Sequence, residues 1–140
     1  GFKLGKSVTA RIFYFPAQES ENNRSQVVLL QYGKNKLLLT GDLELTGEDV
    51  LIRKYPVLRR VSVLKVGHHG SNQSSSLPFL TQVWPKLALI SVGAHNYYGH
   101  PGHKTLNRLK SLGVRTCRTD QNGRIDLKVY RERLMVATQR

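Results

Sequence analysis

Apolar positions in this chain gather in short runs broken by Gly, Pro, Asn and Asp, with little of the three- and four-residue spacing that marks long helices. Residues 8–15 read as a strand ended by Pro16, and the polar stretch 18–25 reads as a loop. Residues 26–32 and 36–40 are strand-like and flank Gly33-Lys34-Asn35, which predicts a hairpin. Thr46-Gly47-Glu48-Asp49 reads as a helix start, because the Thr46 hydroxyl can accept an amide hydrogen bond and acids suit the positive helix end. That helix should stop before Pro56. Residues 61–66 are almost wholly apolar, as in a strand buried on both faces, and 87–92 repeat the pattern. Between them Ser76 predicts a helix cap, with Pro78 tolerated in the first turn. Pro101 opens a third predicted helix, in which Leu106, Leu109 and Leu112 share one face and Gly113 ends it. Residues 114–119 and 124–130 read as strands joined at Asn122-Gly123, a hairpin signal, and the last ten residues either extend the final strand or fray. Strands alternating with helices in this order predict an α/β fold, a mixed sheet covered by about three helices.

Composition narrows the reading. At 140 residues and 39% hydrophobic content, the chain can form one domain, 1–140, with a core of its own, which excludes wholesale disorder. No run approaches the roughly 18 apolar residues of a membrane span, and the opening Gly1-Phe2-Lys3-Leu4 shows no secretion signal, so this piece is expected to be soluble. The absence of an initial Met suggests that it was cut from something longer. A single cysteine, Cys117, excludes an internal disulfide framework and a multi-thiolate zinc cluster. Any metal would have to be held by histidine and carboxylate. Against 9 Asp and Glu stand 22 Lys and Arg, a net charge of +13 that favours polyanions such as a nucleic-acid backbone. These cations are scattered over every segment, which predicts a generally basic surface and no single linear binding motif.

The chemistry concentrates where apolar strands stop. Residues 36–40 end in Gly41-Asp42, 61–66 in Gly67-His68-His69-Gly70-Ser71, and 87–92 in Gly93-Ala94-His95-Asn96. In sheets of this kind functional side chains collect at strand ends, where a rigid frame positions them and the loops leave room for a ligand. Asp42 taken alone has a simpler reading as an aspartate that bonds its own loop. Adjacent imidazoles between glycines are harder to explain that way, and imidazole with carboxylate is a usual donor set for zinc or manganese. Asn22, Ser71, His95 and Asn96 are candidate substrate contacts. His100, just before Pro101, stands at the predicted helix start, where an anion would be favoured.

Taken together, Leu37-Leu38-Leu39-Thr40-Gly41-Asp42, Val63-Leu64-Lys65-Val66-Gly67-His68-His69-Gly70-Ser71, Ser91-Val92-Gly93, Tyr98-Gly99-His100-Pro101 and Arg118-Thr119-Asp120 with Gly123 resemble the metallo-β-lactamase-like domain of the ComEC family of DNA-uptake channel proteins. The resemblance runs from about Asn22 to Ile125. It implies a four-layer αββα sandwich with a divalent metal site, manganese or zinc, at one edge of its two sheets. Asp42 corresponds to the carboxylate that bridges two ions, and one of His68 and His69 to a histidine ligand, the other being a neighbour or substrate contact. Asn22 falls where related enzymes place a histidine, and His100 lines the same cleft, where it would steady a phosphate or protonate a leaving oxygen. The His-x-His-x-Asp-His cluster of such enzymes has no counterpart here, so the chain is similar to the C-terminal half of the domain. The resemblance thus implies a parent that is a metal-dependent nuclease, embedded in a bacterial cytoplasmic membrane with this domain on the outer side. The isolated piece is expected to be inactive, to lack metal on its own, and to self-associate through exposed strand edges. A non-catalytic DNA-binding module and a hydrolase of small phosphodiesters are the competing readings.

Overall fold

In the computed structural model, residues 1–4, 7–14 and 21–140 are described. The hairpin at Gly33 matches its sequence signal. With Gly33 at φ +56°, a two-residue turn joins β3, Val27–Tyr32, to β4, Asn35–Leu39, and sets Tyr32 opposite Asn35. Two antiparallel strands precede it, β1 at Phe2–Leu4 and β2 at Val8–Phe13. β1 was not foreseen. Phe15 and Pro16, where the predicted strand end falls, lie outside the described residues, as does the start of the predicted loop, whose later part Asn22–Arg24 forms a 3-10 turn.

After β4 the sheet becomes parallel. β5 (Val63–Lys65), β6 (Leu87–Ile90) and β7 (Arg115–Arg118) follow one another across it, each reached through a helix: α1 at Leu45–Lys54, α2 at Leu77–Val83 and α3 at His103–Ser111. The seven strands stand in chain order, with β1 and β7 at the edges. Side chains alternate across the pleat. Leu38, Leu64, Ala88 and Ile90 join Leu51 of α1, Phe79 and Leu80 of α2 and Leu109 of α3 in the main core, which also takes the predicted stripe neighbours Leu106 and Leu112. Val63, Leu87 and Cys117 point the other way, onto a ribbon of β8, Ile125–Val129, and β9, Leu134–Thr138. Helices on one face and a ribbon over part of the other are compatible with a partial αββα sandwich.

Three local expectations are corrected. The Asn122-Gly123 hairpin does not form: residues Thr119–Asn122 make a single helical turn, and β8 pairs with β9 instead of β7. Thr119 explains this, since its Oγ1 accepts from Val92 N at 2.7 Å and donates to Val92 O at 2.8 Å, while Asn122 Oδ1 accepts from Arg118 N at 2.8 Å. The Thr119 bonds tie the chain after β7 to the segment that follows β6, the Asn122 bond closes the helical turn, and the chain then leaves at Gly123 for the opposite face. Thr46 does not cap α1 either; it lies within the first turn, its hydroxyl accepting from Asn23 Nδ2 at 2.6 Å. Pro101 likewise precedes α3, whose cap is Gly102, so His100 is not at a helix start. The orphan amide of Lys104 is satisfied by Asn72 Oδ1 at 2.9 Å, and a Cβ at Gly102 would lie 2.2 Å from that oxygen. Ser76 caps α2 as predicted, its Oγ accepting from Phe79 N at 3.2 Å.

One glycine ties the fold to the strand-end loops. Gly70 has φ +82°, and a Cβ there would sit 2.6 Å from Pro101 Cβ. A Gly70→Ala variant combines the left-handed penalty with a clash against the segment carrying His100, so it should lose about 2–3 kcal/mol of stability by chemical denaturation.

Candidate functional site

Because β4, β5 and β6 run parallel, their C-terminal ends open on one side of the sheet and bring three loops together. The first loop is built by a frame that lies elsewhere in sequence. Ser25 Oγ accepts from Asp42 N at 2.9 Å, and Asn23 Oδ1 accepts from Glu44 N at 2.9 Å. Asn22 Nδ2 donates to Glu44 Oε1 at 2.8 Å. The 3-10 turn therefore fixes the backbone on both sides of Leu43, which is itself fully buried. Asp42 is left with its carboxylate half exposed at the loop tip.

The second loop carries the histidine pair in an unusual backbone. His68 (φ 46°, ψ 47°) and His69 (φ 53°, ψ 23°) are both left-handed, at a cost of roughly 1–2 kcal/mol each. Non-glycine residues persist in that region only where surrounding contacts hold them, and such strain gathers at functional sites. Here His68 N donates to Gly41 O at 3.0 Å, Ser71 N donates to His68 O at 2.8 Å, and Gly67 packs so closely that a Cβ would lie 2.7 Å from Leu43 O. As a result the adjacent rings diverge. His68 Nδ1 lies 3.1 Å from Glu44 Oε1, while His69 Nε2 lies 3.8 Å from Asp42 Oδ1.

The His69 contact has a specific electronic meaning. Its Nδ1 is 2.7 Å from Ser91 O, and because a carbonyl only accepts, Nδ1 must carry the proton. In the neutral ring the lone pair is then on Nε2, facing the carboxylate of Asp42. Two lone-pair donors 3.8 Å apart repel each other, and that distance is too long for a hydrogen bond. It is within what two bonds of about 2.0–2.2 Å to one cation can span. The Nδ1–H···O=C bond is also the usual backing of a metal-ligating imidazole.

His100 completes the cluster from the third loop. Its ring meets His68 edge-on at 5.7 Å and stacks with Tyr98 at 5.9 Å. Burial, reinforced by the neighbouring His68 and His69, holds its pKa below the ordinary histidine value. A small cleft of about 220 Å³ is bounded by His69, Val92, Gly93, Asn96, Tyr98 and His100. A larger depression, about 920 Å³, lies elsewhere, bounded by α1, α2, Arg59 and Arg60.

Of the other candidates, Asn96 is a brace: its Nδ2 donates to His100 O at 2.6 Å, and its Oδ1 accepts from His100 N at 2.8 Å. Ser71 is buried, with Oγ accepting from Gln73 N at 3.2 Å, and no described contact brings it to Asp42 or His69. His95 is exposed on its turn. Two residues were missed by sequence reasoning. Glu44 joins Asn22 to His68, and its signal was its place two residues after Asp42 in the same strand-end loop. Lys65, half buried at the end of β5, donates Nζ to Val66 O at 2.9 Å. Its burial lowers its pKa, partly offset by the charge of Asp42. Among the described residues no group of three or more His, Cys, Asp or Glu is arranged to hold a metal ion, so Asp42 and His69 make at most part of a coordination sphere.

No family model matches the chain. It is 43% identical over 119 residues to ComE operon protein 3 of Bacillus subtilis (strain 168), covering 85% of this chain and 15% of that protein. Competence protein ComA of Neisseria gonorrhoeae is 40% identical over 111 residues, 79% of this chain and 16% of its own length. Recombination protein 2 of Haemophilus influenzae is 36% identical over 117 residues, 84% of this chain and 14% of its own. The chain thus spans about 15% of the length of the curated relatives it matches. With the strand-end motifs in place on a mixed α/β fold, this level of identity over most of its length means that the chain belongs to the ComEC family, matching one part of those longer proteins.

Proposed function

We propose that this chain supplies one edge of a divalent-metal site, for manganese or zinc, that hydrolyses DNA phosphodiesters during DNA uptake. The parent would be embedded in a bacterial cytoplasmic membrane, with this domain on its outer side. The observation that carries the reading is the Asp42–His69 pair, with its back-bonded imidazole facing a carboxylate across 3.8 Å. The name of one relative, Competence protein ComA, refers to competence, and a net charge of +13 suits a phosphate backbone. No described helix is long and apolar enough to cross a membrane.

The donor set fits such an ion in part. Asp42 and His69 would hold it, and further ligands would come from outside the described residues. When bound, the ion supplies Lewis-acid polarisation of a phosphoryl oxygen and lowers the pKa of water. Around it, Glu44 accepts from Asn22 and His68 and so fixes the His68 ring beside the site. His100 can donate one hydrogen bond to a phosphate oxygen from a residue whose main chain is braced by Asn96. In a metal-supplemented DNA cleavage assay of the parent protein, His69→Ala should lose on the order of a hundredfold or more, and His68→Ala about tenfold, as expected for a supporting contact. Undiminished cleavage by His69→Ala would overturn the ligand assignment.

A second reading has one observation in its favour: the lack of a three-residue ligand cluster among the described residues. In it the domain grips DNA without cutting it. Salt-dependent DNA binding by the parent, with no metal-dependent cleavage under any condition, would decide for that reading.

A further inference from the structure

The loop between β6 and α3 presents two aromatic side chains in a way that folding does not explain. Tyr97 is 99% exposed and Tyr98 81% exposed. A soluble protein gains nothing by holding apolar rings in water, and a large exposed apolar group beside a polar cluster marks a binding surface. The loop is not slack. Asn96 Nδ2 donates to Gly93 O at 3.1 Å as well as to His100 O, its Oδ1 accepts from His100 N, and Gly99 N donates back to Asn96 O at 3.4 Å. Both rings are therefore offered on a closed, braced turn, which reduces the ordering cost of binding.

Their geometry continues the proposed site outwards. Tyr97 meets Tyr98 edge-on with centroids 6.4 Å apart, Tyr98 lies nearly parallel to His100 at 24°, and His100 meets His68 at 5.7 Å. Four rings thus run from open solvent to the Glu44–His68 contact. One face of Tyr98 is taken by His100, while Tyr97 is almost wholly free.

We propose that Tyr97 and Tyr98 form a base-stacking platform that makes the site selective for single-stranded DNA. Such binders combine a cationic surface with exposed aromatic rings on which unpaired bases stack. This chain has both, and the platform adjoins the place where a phosphate would be handled. In a duplex the base faces are already stacked on one another, so a duplex gains from the charge alone. The proposal rests on the reading of this site as one for DNA, and adds its strand preference.

The test compares three fluorescently labelled probes binding to the intact 140-residue chain at low and physiological salt: a 20-nucleotide oligothymidine, the same strand with abasic residues, and a 20-base-pair duplex. The oligothymidine should bind at least about tenfold more tightly than either of the others, as one or two stacked bases require. Tyr97→Ala with Tyr98→Ala should bring it down to the abasic level, leave the duplex within about twofold, and be rescued by phenylalanine at both positions. Equal affinity for oligothymidine and abasic strand, or no loss in the double variant, would overturn the platform while leaving DNA binding intact. Failure to bind any probe at low salt would overturn the DNA reading itself. Tyrosine-dependent binding to anionic phospholipid vesicles with tyrosine-independent DNA binding would also overturn the proposal, assigning the rings to a membrane surface.

Discussion

Replacing Asp42 by alanine should abolish the proposed metal-dependent DNA cleavage by the parent protein, with a loss on the order of a thousandfold, because an oxygen ligand at this position would contribute several kcal/mol where charge develops on phosphorus. The fold should not follow. The Asp42 carboxylate is half exposed, and what anchors its loop is the main-chain bond from Asp42 N to Ser25 Oγ, which alanine keeps. Stability should therefore change by no more than about 0.5 kcal/mol. Asp126→Ala is the matched control, since that carboxylate pairs with Arg124 on the exposed ribbon. Equal damage from both substitutions would mean that Asp42 acts through general charge balance.

The largest effect on stability is expected at Glu48, a residue of α1 that is 1% exposed. Its carboxylate accepts from the amides of Ser75 and Ser76, the latter at 2.7 Å, in a loop whose Ser71, Ser74 and Ser75 are buried. That loop is also clamped from α3, where Thr105 Oγ1 donates to Ser71 O at 2.6 Å and Arg108 donates to Ser75 O and Asn72 O at 3.0 and 2.8 Å. Glu48→Ala leaves two amides without an acceptor and should cost about 3 kcal/mol, read as a melting temperature lower by roughly 10 °C. The two histidines lie just upstream of this loop, so their left-handed backbone should loosen too.

Glu48 also gives a pH signature. Burial raises its pKa in the folded protein, with the amides of Ser76 and Ser75 and the charge of Arg108 only partly opposing this. A raised folded value means that the native state holds the proton more tightly than the unfolded chain. The stability this contributes is complete below the ordinary carboxylate pKa and is lost as pH rises through the folded value. Denaturation between pH 4 and 8 should show that decline in the wild type and not in Glu48→Gln.

The parts of this molecule that were legible in its sequence are those set by local chemistry. Gly33 announces a turn because it adopts positive φ cheaply, Ser76 caps α2 with its own hydroxyl, and Leu106, Leu109 and Leu112 fall on the buried side of α3. Three apolar runs ending in polar clusters became three adjacent strand ends because parallel crossovers place consecutive strands side by side. The errors come from partners distant in sequence. Asn122-Gly123 carries a hairpin signal, but Thr119 is captured by Val92. Thr46 reads as a cap, but Asn23 reaches its hydroxyl from another loop. Glu44 has no local mark beyond its closeness to Asp42, and its importance comes from Asn22 and His68 meeting on one oxygen. Which of the adjacent histidines turns towards Asp42 depended on two left-handed backbone conformations that no sequence pattern encodes.

The most direct measurement is paramagnetic broadening by Mn²⁺ in the amide NMR spectrum of the 140-residue chain, which detects even a weak, incomplete site. Amides of residues 41–43, 67–70 and 91–93 should broaden first, and Asp42→Ala should remove the effect. Broadening centred on other carboxylates, such as Asp49 or Glu132, or an unchanged pattern in Asp42→Ala, would show that Asp42 and His69 do not share a cation.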